Sequence, residues 1–445
     1  MESKRIAIVS VGSRGDVQPY CVLGRALVAR GHKVVVATEE RLRSLVEDDF
    51  HLPFACIAGD STGGLFDPKF QAGLAKGSLL SVMKMTKEWK SKFAISDILA
   101  SYVKALEGAE VIVSGALCLP MSYGVAEKAK AAWVPLILQP TWPTMEFPIW
   151  VLAGLTLGLR CLNKWSYSVL FKRLWKEERQ YINPWLEHTL DLPPITSSMG
   201  MIDVIGANER IPLLIASSAI FCGPHRAVPA DYDLSKIHLH GPILAPPTPL
   251  PEAVTVFLRA ARTAAAPVIY VGFGSMPTAD PLALLYLVVD VCHRASCRAI
   301  LAAGWSVLES PKATTLLEAN AALLLVLPYV SHTALFPQVD CVVHHAGVGT
   351  SQAALASGTP QVPCPVLLDQ PHNAKVLVGL GVAPKTIPFR HLSAKHLALA
   401  VQGVFRNVDN VQGKARDVGK SLQEEAAGAL ERYCGLITTV EPLHG

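Results

Sequence analysis

Residues 341–373 read CVVHHAGVGTSQAALASGTPQVPCPVLLDQPHN, and they set the fold and the chemistry together. An apolar strand, Cys341-Val342-Val343, runs into two histidines and the small-residue turn Ala346-Gly347-Val348-Gly349. Thr350, Ser351 and an alanine-rich helical segment follow. A strand–turn–helix of this kind turns backbone amides and hydroxyls toward one point at a helix N-terminus, which suits anionic oxygens. A second apolar, proline-rich segment then leads to Asp369-Gln370. A phosphate cradle followed by a carboxylate–amide pair implies a nucleotide-sugar site, the cradle holding the diphosphate and the pair reading sugar hydroxyls.

Outward from this stretch the chain alternates strand and helix. Arg5 to Val11 is a short apolar run closed by glycine, which predicts a buried parallel strand. Pro19 to Arg30 has helical spacing with Gly31 as its stop, and Lys33 to Ala37 is the next strand. Further strands are expected at Phe54–Ile57, Val111–Ser114 and Leu136–Gln139. The proline-rich run from Gly241 to Pro251 breaks the pattern, which restarts with strands at Val268–Gly272, Arg298–Ala302, Ala322–Leu327, Cys341–His344 and Gln361–Cys364. The expected fold is α/β, with two Rossmann-like halves whose parallel sheets face across a cleft. Residues 1–240 form the first domain, 241–266 the linker and 267–445 the second domain, whose last helices are expected to cross back.

Composition narrows the function classes. At 445 residues, half of them hydrophobic, two cores are the default. Lys plus Arg number 40 against 36 Asp plus Glu, too slight and scattered an excess for nucleic acid. The ten cysteines form no CxxC pair, which points to reduced thiols and a cytoplasmic protein. No apolar run is long enough to span a bilayer, and the N-terminus enters a strand directly, without a signal-peptide core. The run Phe147 to Leu159 is expected as a buried helix or a lip beside an apolar site, and it is where peripheral membrane contact would fall. A monomer is expected.

Three other loops carry candidate chemistry. Gly12-Ser13-Arg14-Gly15-Asp16 joins the first strand to the first helix at the carboxyl end of the sheet, where ligands bind. Asp16 there is either a helix cap or a reactive carboxylate. Glu39 and Glu40 end the second strand where a ribose-binding acid would sit, but without GxGxxG a dinucleotide site has little support. Val271-Gly272-Phe273-Gly274-Ser275 opens the second domain with a glycine turn and a serine, again suited to phosphate. His345, at the mouth of the cradle, is read as a donor to a diphosphate oxygen, and His344 as structural. Asp231-Tyr232-Asp233 mimics a metal-binding DxD but lies in a proline-rich connection, which favours a loop role. No second ligand cluster accompanies the histidines, so neither a metal nor a cofactor is expected.

GSRGDVQP at 12–19, VGFGSMP at 271–277, LFPQVD at 335–340, HHAGVGT at 344–350 and LDQPHNA at 368–374 resemble the sterol 3-β-glucosyltransferases. They are also similar to bacterial glycosyltransferases that decorate glycopeptides and macrolides. Both groups belong to the UDP-glycosyltransferase superfamily with the GT-B fold, and the similarity runs in order along nearly the whole chain. The resemblance implies an inverting, metal-independent transfer from a UDP-sugar bound by the second domain to an acceptor bound by the first. By motif, Asp16 becomes the catalytic base. Ser275, His345, Gly347, Gly349 and Thr350 contact the diphosphate, with Gly274, Ser13 and Gly15 near the donor. Asp369 and Gln370 read the sugar, and Trp305, Tyr329 and Val330 hold the base and ribose. The family's HHGG is here HHAG, with Ala346 in the cradle, and Ala353 stands where plant-type members carry a ribose-binding glutamate.

Trp142, Met145, Phe147 and Trp150 follow a strand of the first domain and are the candidate acceptor wall; Trp165, Tyr167, Phe171 and Trp175 follow on a helical stretch. An aromatic stripe is more often core than ligand wall, yet its clustering beyond the sheet in the acceptor half points to a lipophilic acceptor. A sterol fits the stripe and the resemblance; a flavonoid, a polyketide or a glycolipid fits the same pocket chemistry. A UDP-sugar 2-epimerase and a non-catalytic lipid- or sugar-binding relative are the readings from other classes.

Overall fold

The structure is a computed structural model, and it describes residues 2–67, 88–89, 91–155, 159–274, 280–304 and 310–444. Two compact units emerge. The first gathers Met1–Thr62, Glu88–Ile243 and Glu425–Gly445, and Leu244–Glu424 form the bulk of the second.

The first unit is built on a seven-stranded sheet of β1 (Arg5–Val9), β2 (Lys33–Glu39), β3 (Phe54–Ile57), β4 (Val111–Ser114), β5 (Ala132–Ile137), β6 (Leu213–Ile215) and β7 (Ile237–Leu239). Their order is β3-β2-β1-β4-β5-β6-β7, and every pairing is parallel. β1 and β4 read as unbroken apolar runs because both faces are covered, and Ile6, Ile8, Val9, Ile112 and Val113 are all buried. The first helix spans Arg14–Ala29, five residues earlier than the proline at 19 suggests. Ser13 rather than Pro19 starts it, and Pro19 sits inside, where it withholds the N–H that would bond the Gly15 carbonyl. β6 and β7, three residues each, went unpredicted: neither is long enough to show a period.

A 29-residue helix, Arg160–His188, follows the apolar run after Trp142. The start of the run is packed: Phe147 and Ile149 join Tyr167 and Cys222 in a small satellite core. The Ile149 N–H donates to the Ser166 hydroxyl at 2.9 Å, which fixes the run against the helix. Among the described residues, no helix is long and apolar enough to cross a membrane.

The second unit carries a five-stranded parallel sheet of β8 (Val268–Gly272), β9 (Arg298–Ala302), β10 (Leu324–Leu327), β11 (Cys341–His344) and β12 (Gln361–Pro363), in the order β10-β9-β8-β11-β12. Alternate residues of β8 feed two cores. Ile269 and Val271 pack with Leu301 and Val343 on one face, Val268 and Tyr270 with Ile300 and Val342 on the other. Residues 241–266 are not a linker throughout. Glu252–Thr263 form a helix whose Val254, Phe257, Leu258 and Ala261 are buried against β8 in the second unit. Helical spacing across Val254, Phe257, Leu258 and Ala261 carried that signal, and the prolines around it masked it.

The last 21 residues belong to the first unit, where the helix Ala429–Thr439 buries Tyr433, Cys434 and Ile437. The Tyr433 hydroxyl accepts from the His240 N–H at 3.0 Å and lies 2.7 Å from the Ile215 carbonyl and 2.9 Å from that of Gly241. Glu425 accepts from the Ala219 N–H at 2.8 Å and from the Ser218 hydroxyl. All ten cysteines are free thiols. Tyr433→Phe strips a buried N–H and two carbonyls of a shared partner, so it is expected to lower unfolding stability by about 1–3 kcal/mol. Thermal and urea denaturation of the full chain measure this, and an unchanged midpoint would show that the hydroxyl anchors nothing.

Candidate active site

In the second sheet the strand order reverses between β8 and β11. Connections there leave in opposite directions and open a crevice at the carboxyl ends of the strands, the place where such sheets bind ligands. The loops after β8 and β11 meet at that point. Gly274 has φ +66°, and a side chain there would begin 2.8 Å from the His345 ring. A side chain on Gly304, after β9, would begin 2.4 Å from the Gly274 carbonyl oxygen. Three strand-end loops thus converge at backbone distance.

His344 ends β11 fully buried. Its Nδ1 accepts from the Ala346 N–H at 3.1 Å, so Nε2 carries the proton and donates to Gln361 Oε1 at 2.8 Å. Burial and the neighbouring His345 push its pKa down to about 3, which keeps it neutral. It is a strut that shapes the turn. His345 is also neutral, pushed down to about 4 by burial, and its Nδ1 is buried with no hydrogen-bond partner. Leaving such a nitrogen unpaired costs about 1–3 kcal/mol, a cost that a ligand oxygen at this ring would relieve.

After the turn, the helix Val348–Ala356 starts with Gly347 as its cap, which has no side chain to cap with. The N–H of Ser351 is the first to find a helical carbonyl, that of Gly347, at 2.9 Å. The amides of Val348, Gly349 and Thr350 have no carbonyl within the helix and form a positive helix end. Gly349 is exposed, and a side chain there would meet nothing within 4 Å.

Asn373 was missed by sequence reading. Its Nδ2 donates to the Ala346 carbonyl at 3.0 Å and to Asp369 Oδ2 at 2.7 Å. One buried amide therefore ties the turn at Ala346 to the Asp369 carboxylate. Its signal was present in the motif LDQPHNA, where Asn373 lies one helical turn after Asp369. Asp369 is half-buried and reachable. Gln370 is buried, and its Oε1 accepts from the N–H groups of Val366 at 2.8 Å and Leu367 at 3.2 Å. That oxygen positions the loop, so it is not available to read a sugar.

Two non-glycine residues here adopt left-handed backbone: Ala346 at φ 64° and Leu368 at φ 60°. The Ala346 methyl is fully buried, whereas Leu368 is 49% exposed beside Asp369. Tyr329 is partly exposed on the loop after β10, and the Val330 side chain is buried in one of the sheet's cores. Ser275 and Trp305 lie outside the described residues.

The first sheet reverses order between β1 and β4, and the Gly12–Asp16 loop leaves β1 at that point. Asp16 Oδ2 accepts from both the N–H of Ser13, at 2.7 Å, and its hydroxyl, at 2.8 Å. Gly12 has φ +132°, and a side chain there would begin 2.6 Å from that oxygen. The helix-capping role is thus real, yet only one carboxylate oxygen serves it; Oδ1 has no hydrogen bond among the described residues, and the residue is exposed. The surrounding protein desolvates the carboxyl and raises its pKa, while the two Ser13 bonds pull it back. Gly15 is exposed at the same helix start. Glu39 is occupied elsewhere, accepting from the Ser61 N–H at 2.6 Å and hydroxyl at 2.9 Å, so it is not a ribose-reading acid.

Among the acceptor candidates, Met145 is exposed, Trp142 and Trp150 are half-buried, and Phe147 is spent on the satellite core. Asp231 accepts from the Thr144 hydroxyl and from the Met145 N–H, and Asp233 from Ser235. Both carboxylates of the DxD run hold turns.

Asn373→Ala removes the link between turn and carboxylate. We expect about a 10- to 100-fold rise in the dissociation constant of a nucleoside diphosphate sugar, from a lost charge-assisted bond of ~1.5–3 kcal/mol. Calorimetric titration reads this, and unchanged affinity would deny the clamp a role in binding. At the strained positions, relief of left-handed backbone is worth about 1–2 kcal/mol and the entropy of a new glycine costs about 0.5–1. Ala346→Gly also gives up a buried methyl worth ~0.8 kcal/mol, so it should be close to neutral. Leu368→Gly gives up about half of a leucine's burial, ~0.8–1.5 kcal/mol, so it too should lie close to neutral; urea denaturation reads both variants, and a loss above about 2 kcal/mol at either position would contradict the strain.

Residues 6–115 match the glycosyltransferase family 28 N-terminal domain, and residues 314–429 the erythromycin biosynthesis protein CIII-like C-terminal domain. A sterol 3-beta-glucosyltransferase of Pichia angusta is 28% identical over 100% of this chain, and one from Arabidopsis thaliana is 28% identical over 96% of it. The chain spans about a third of the Pichia protein's length (34%) and 65% of the Arabidopsis one. Among solved structures, the glycotransferase of kitacinnamycin matches with a TM-score of 0.66 at 20% identity, covering 99% of this chain and 100% of that one. An Arabidopsis thaliana glycosyltransferase complexed with UDP-L-rhamnose matches with a TM-score of 0.57 at 14% identity, covering 98% and 100%. The chain therefore has the GT-B fold and resembles the sterol 3-beta-glucosyltransferases, with a stretch similar to a glycosyltransferase family 28 N-terminal domain followed by one similar to a CIII-like C-terminal domain.

Proposed function

We propose that this chain is an inverting glycosyltransferase that moves a sugar, glucose from UDP-glucose in the first instance, to the hydroxyl of a sterol or similar lipophilic alcohol. The observation that carries this reading is the Asn373 amide, which holds the phosphate turn at Ala346 and the Asp369 carboxylate together. A diphosphate on the turn and a sugar hydroxyl on the carboxylate are what that spacing suits. The sterol relatives support the acceptor class.

In this reaction the acceptor oxygen attacks the anomeric carbon from the face opposite the diphosphate. The new C–O bond forms as the bond to the diphosphate oxygen breaks, and the acceptor's proton passes to Asp16. An alcohol is far less acidic than a carboxylic acid, so the proton leaves in concert with attack. The raised pKa makes the Asp16 carboxylate a stronger base than an ordinary one. The departing diphosphate gains negative charge, which the free amides at Val348–Thr350, the Thr350 and Ser275 hydroxyls and a His345 N–H stabilise without a metal. His345 is neutral beforehand, so it donates a hydrogen bond rather than a full charge.

Asp16→Asn is expected to lower kcat about 10²–10⁴-fold while nucleotide-sugar affinity is retained. Near-normal turnover would remove Asp16 from the base role. Only the ionised carboxylate acts, so activity falls as pH drops through its raised pKa, above the ordinary 3.8. Ser13→Ala deletes one bond that favours ionisation, so the acid limb of the rate profile should move to higher pH. The assay offers UDP-glucose with sterols, flavonoids and lipids and reads a hexose-sized mass gain. Glucose transfer to none of the sterols would overturn the proposed acceptor.

A further inference from the structure

Phe147 and Ile149 of the apolar run that the sequence offers to a membrane are packed away, and exposed apolar surface of the first unit lies on the helix that follows. Across Arg160–Lys176, Asn163, Ser166, Tyr167 and Trp175 turn inward. At about 100° per residue, Cys161, Trp165, Val169, Lys172 and Lys176 share one exposed sector. Trp165 is 51% exposed and Val169 37%, with Leu159 at 53% just ahead of the helix. An indole half in water is a costly exposure for a helix that elsewhere buries its aromatic rings.

Charge accompanies the apolar sector. Arg160, Lys164, Lys172, Arg173 and Lys176 are all exposed, and no acid occurs between Arg160 and Lys176. Among the described residues none of the five is in an ion pair. Trp165 and Val169 beside Lys172, Lys176 and the neighbouring Arg173 match the boundary of an anionic bilayer, where indole sits at headgroup depth and cations meet lipid phosphates and carboxylates. A protein partner would need acids of its own to meet five cations, and a second copy would bring the same five cations and be repelled.

We infer that the exposed face of Arg160–Lys176 docks on an anionic lipid bilayer, with Trp165 and Val169 in the headgroup–acyl boundary and Lys172, Arg173 and Lys176 on the headgroups. The Met145 carbonyl accepts from Asn163 of this helix at 3.0 Å, so docking brings the candidate acceptor segment to the membrane surface. A lipophilic alcohol stored in the bilayer is then presented where it is needed. The docking does not depend on the proposed transfer, because lipid binding is measured without turnover.

The test is co-sedimentation of the full chain with vesicles of phosphatidylcholine alone and with about a third phosphatidylserine, at ~0.1 M salt. Binding to the anionic vesicles only, weakened by raised salt, is the expected result. The double variant Lys172→Glu, Arg173→Glu and, separately, Trp165→Ala should each weaken it about tenfold or more. All three positions are exposed, and circular dichroism checks that each variant folds. Equal affinity for both vesicle types, or binding that ignores both variants, overturns the proposal. Self-association that Trp165→Ala abolishes, without lipid binding, overturns it in favour of a contact between copies.

Discussion

One side-chain amide holds the turn after β11 to the start of the helix Gln370–Gly379. Asn373 Nδ2 reaches the Ala346 carbonyl and the Asp369 carboxylate together. Without it, the turn after β11 and the start of the helix Gln370–Gly379 would be two independent loops. With it, an anion-binding helix end and an acid are held at a set spacing. Asn373 is itself 3% exposed, so the bond is shielded from competing water and stronger for it.

The rest of the cradle follows from the same economy of buried polar groups. His344 uses both ring nitrogens inside the protein, one on the turn and one on Gln361. His345, one residue on, leaves Nδ1 without any partner. Adjacent histidines alternate in direction along a strand end, so one becomes a strut and the other faces the site. The left-handed backbone at Ala346 and Leu368 adds strain at both ends of the clamp, and strain of this kind collects where a site overrules local preference.

Much of this was legible in the sequence, and the failures have physical causes. The β-α alternation was readable because parallel strands covered on both faces are unbroken apolar runs. The meeting of Gly274 and His345 was readable from small residues at two strand ends. The strands Leu213–Ile215 and Ile237–Leu239 were not readable, because three residues carry no periodicity. The helix Glu252–Thr263 was hidden by the prolines before it. The hold of Gln370 Oε1 on the Val366 and Leu367 N–H groups was not readable, because residue type tells what a side chain is able to bind, not which backbone groups have already claimed it. Asp16 reads as either cap or base, and the structure shows the cap: Oδ2 holds Ser13, while Oδ1 has no hydrogen bond among the described residues.

The Ala429–Thr439 helix has a consequence for how the molecule is made. It buries Tyr433, Cys434 and Ile437 in a unit whose first strand is Arg5–Val9. A ribosome delivers the N-terminal unit first, and domains ordinarily fold in the order they emerge. Here the earliest strands stay partly uncovered until residues 429–439 have been made, after the whole of Leu244–Glu424. A truncation before Ala429 would therefore damage the half that was synthesised earliest.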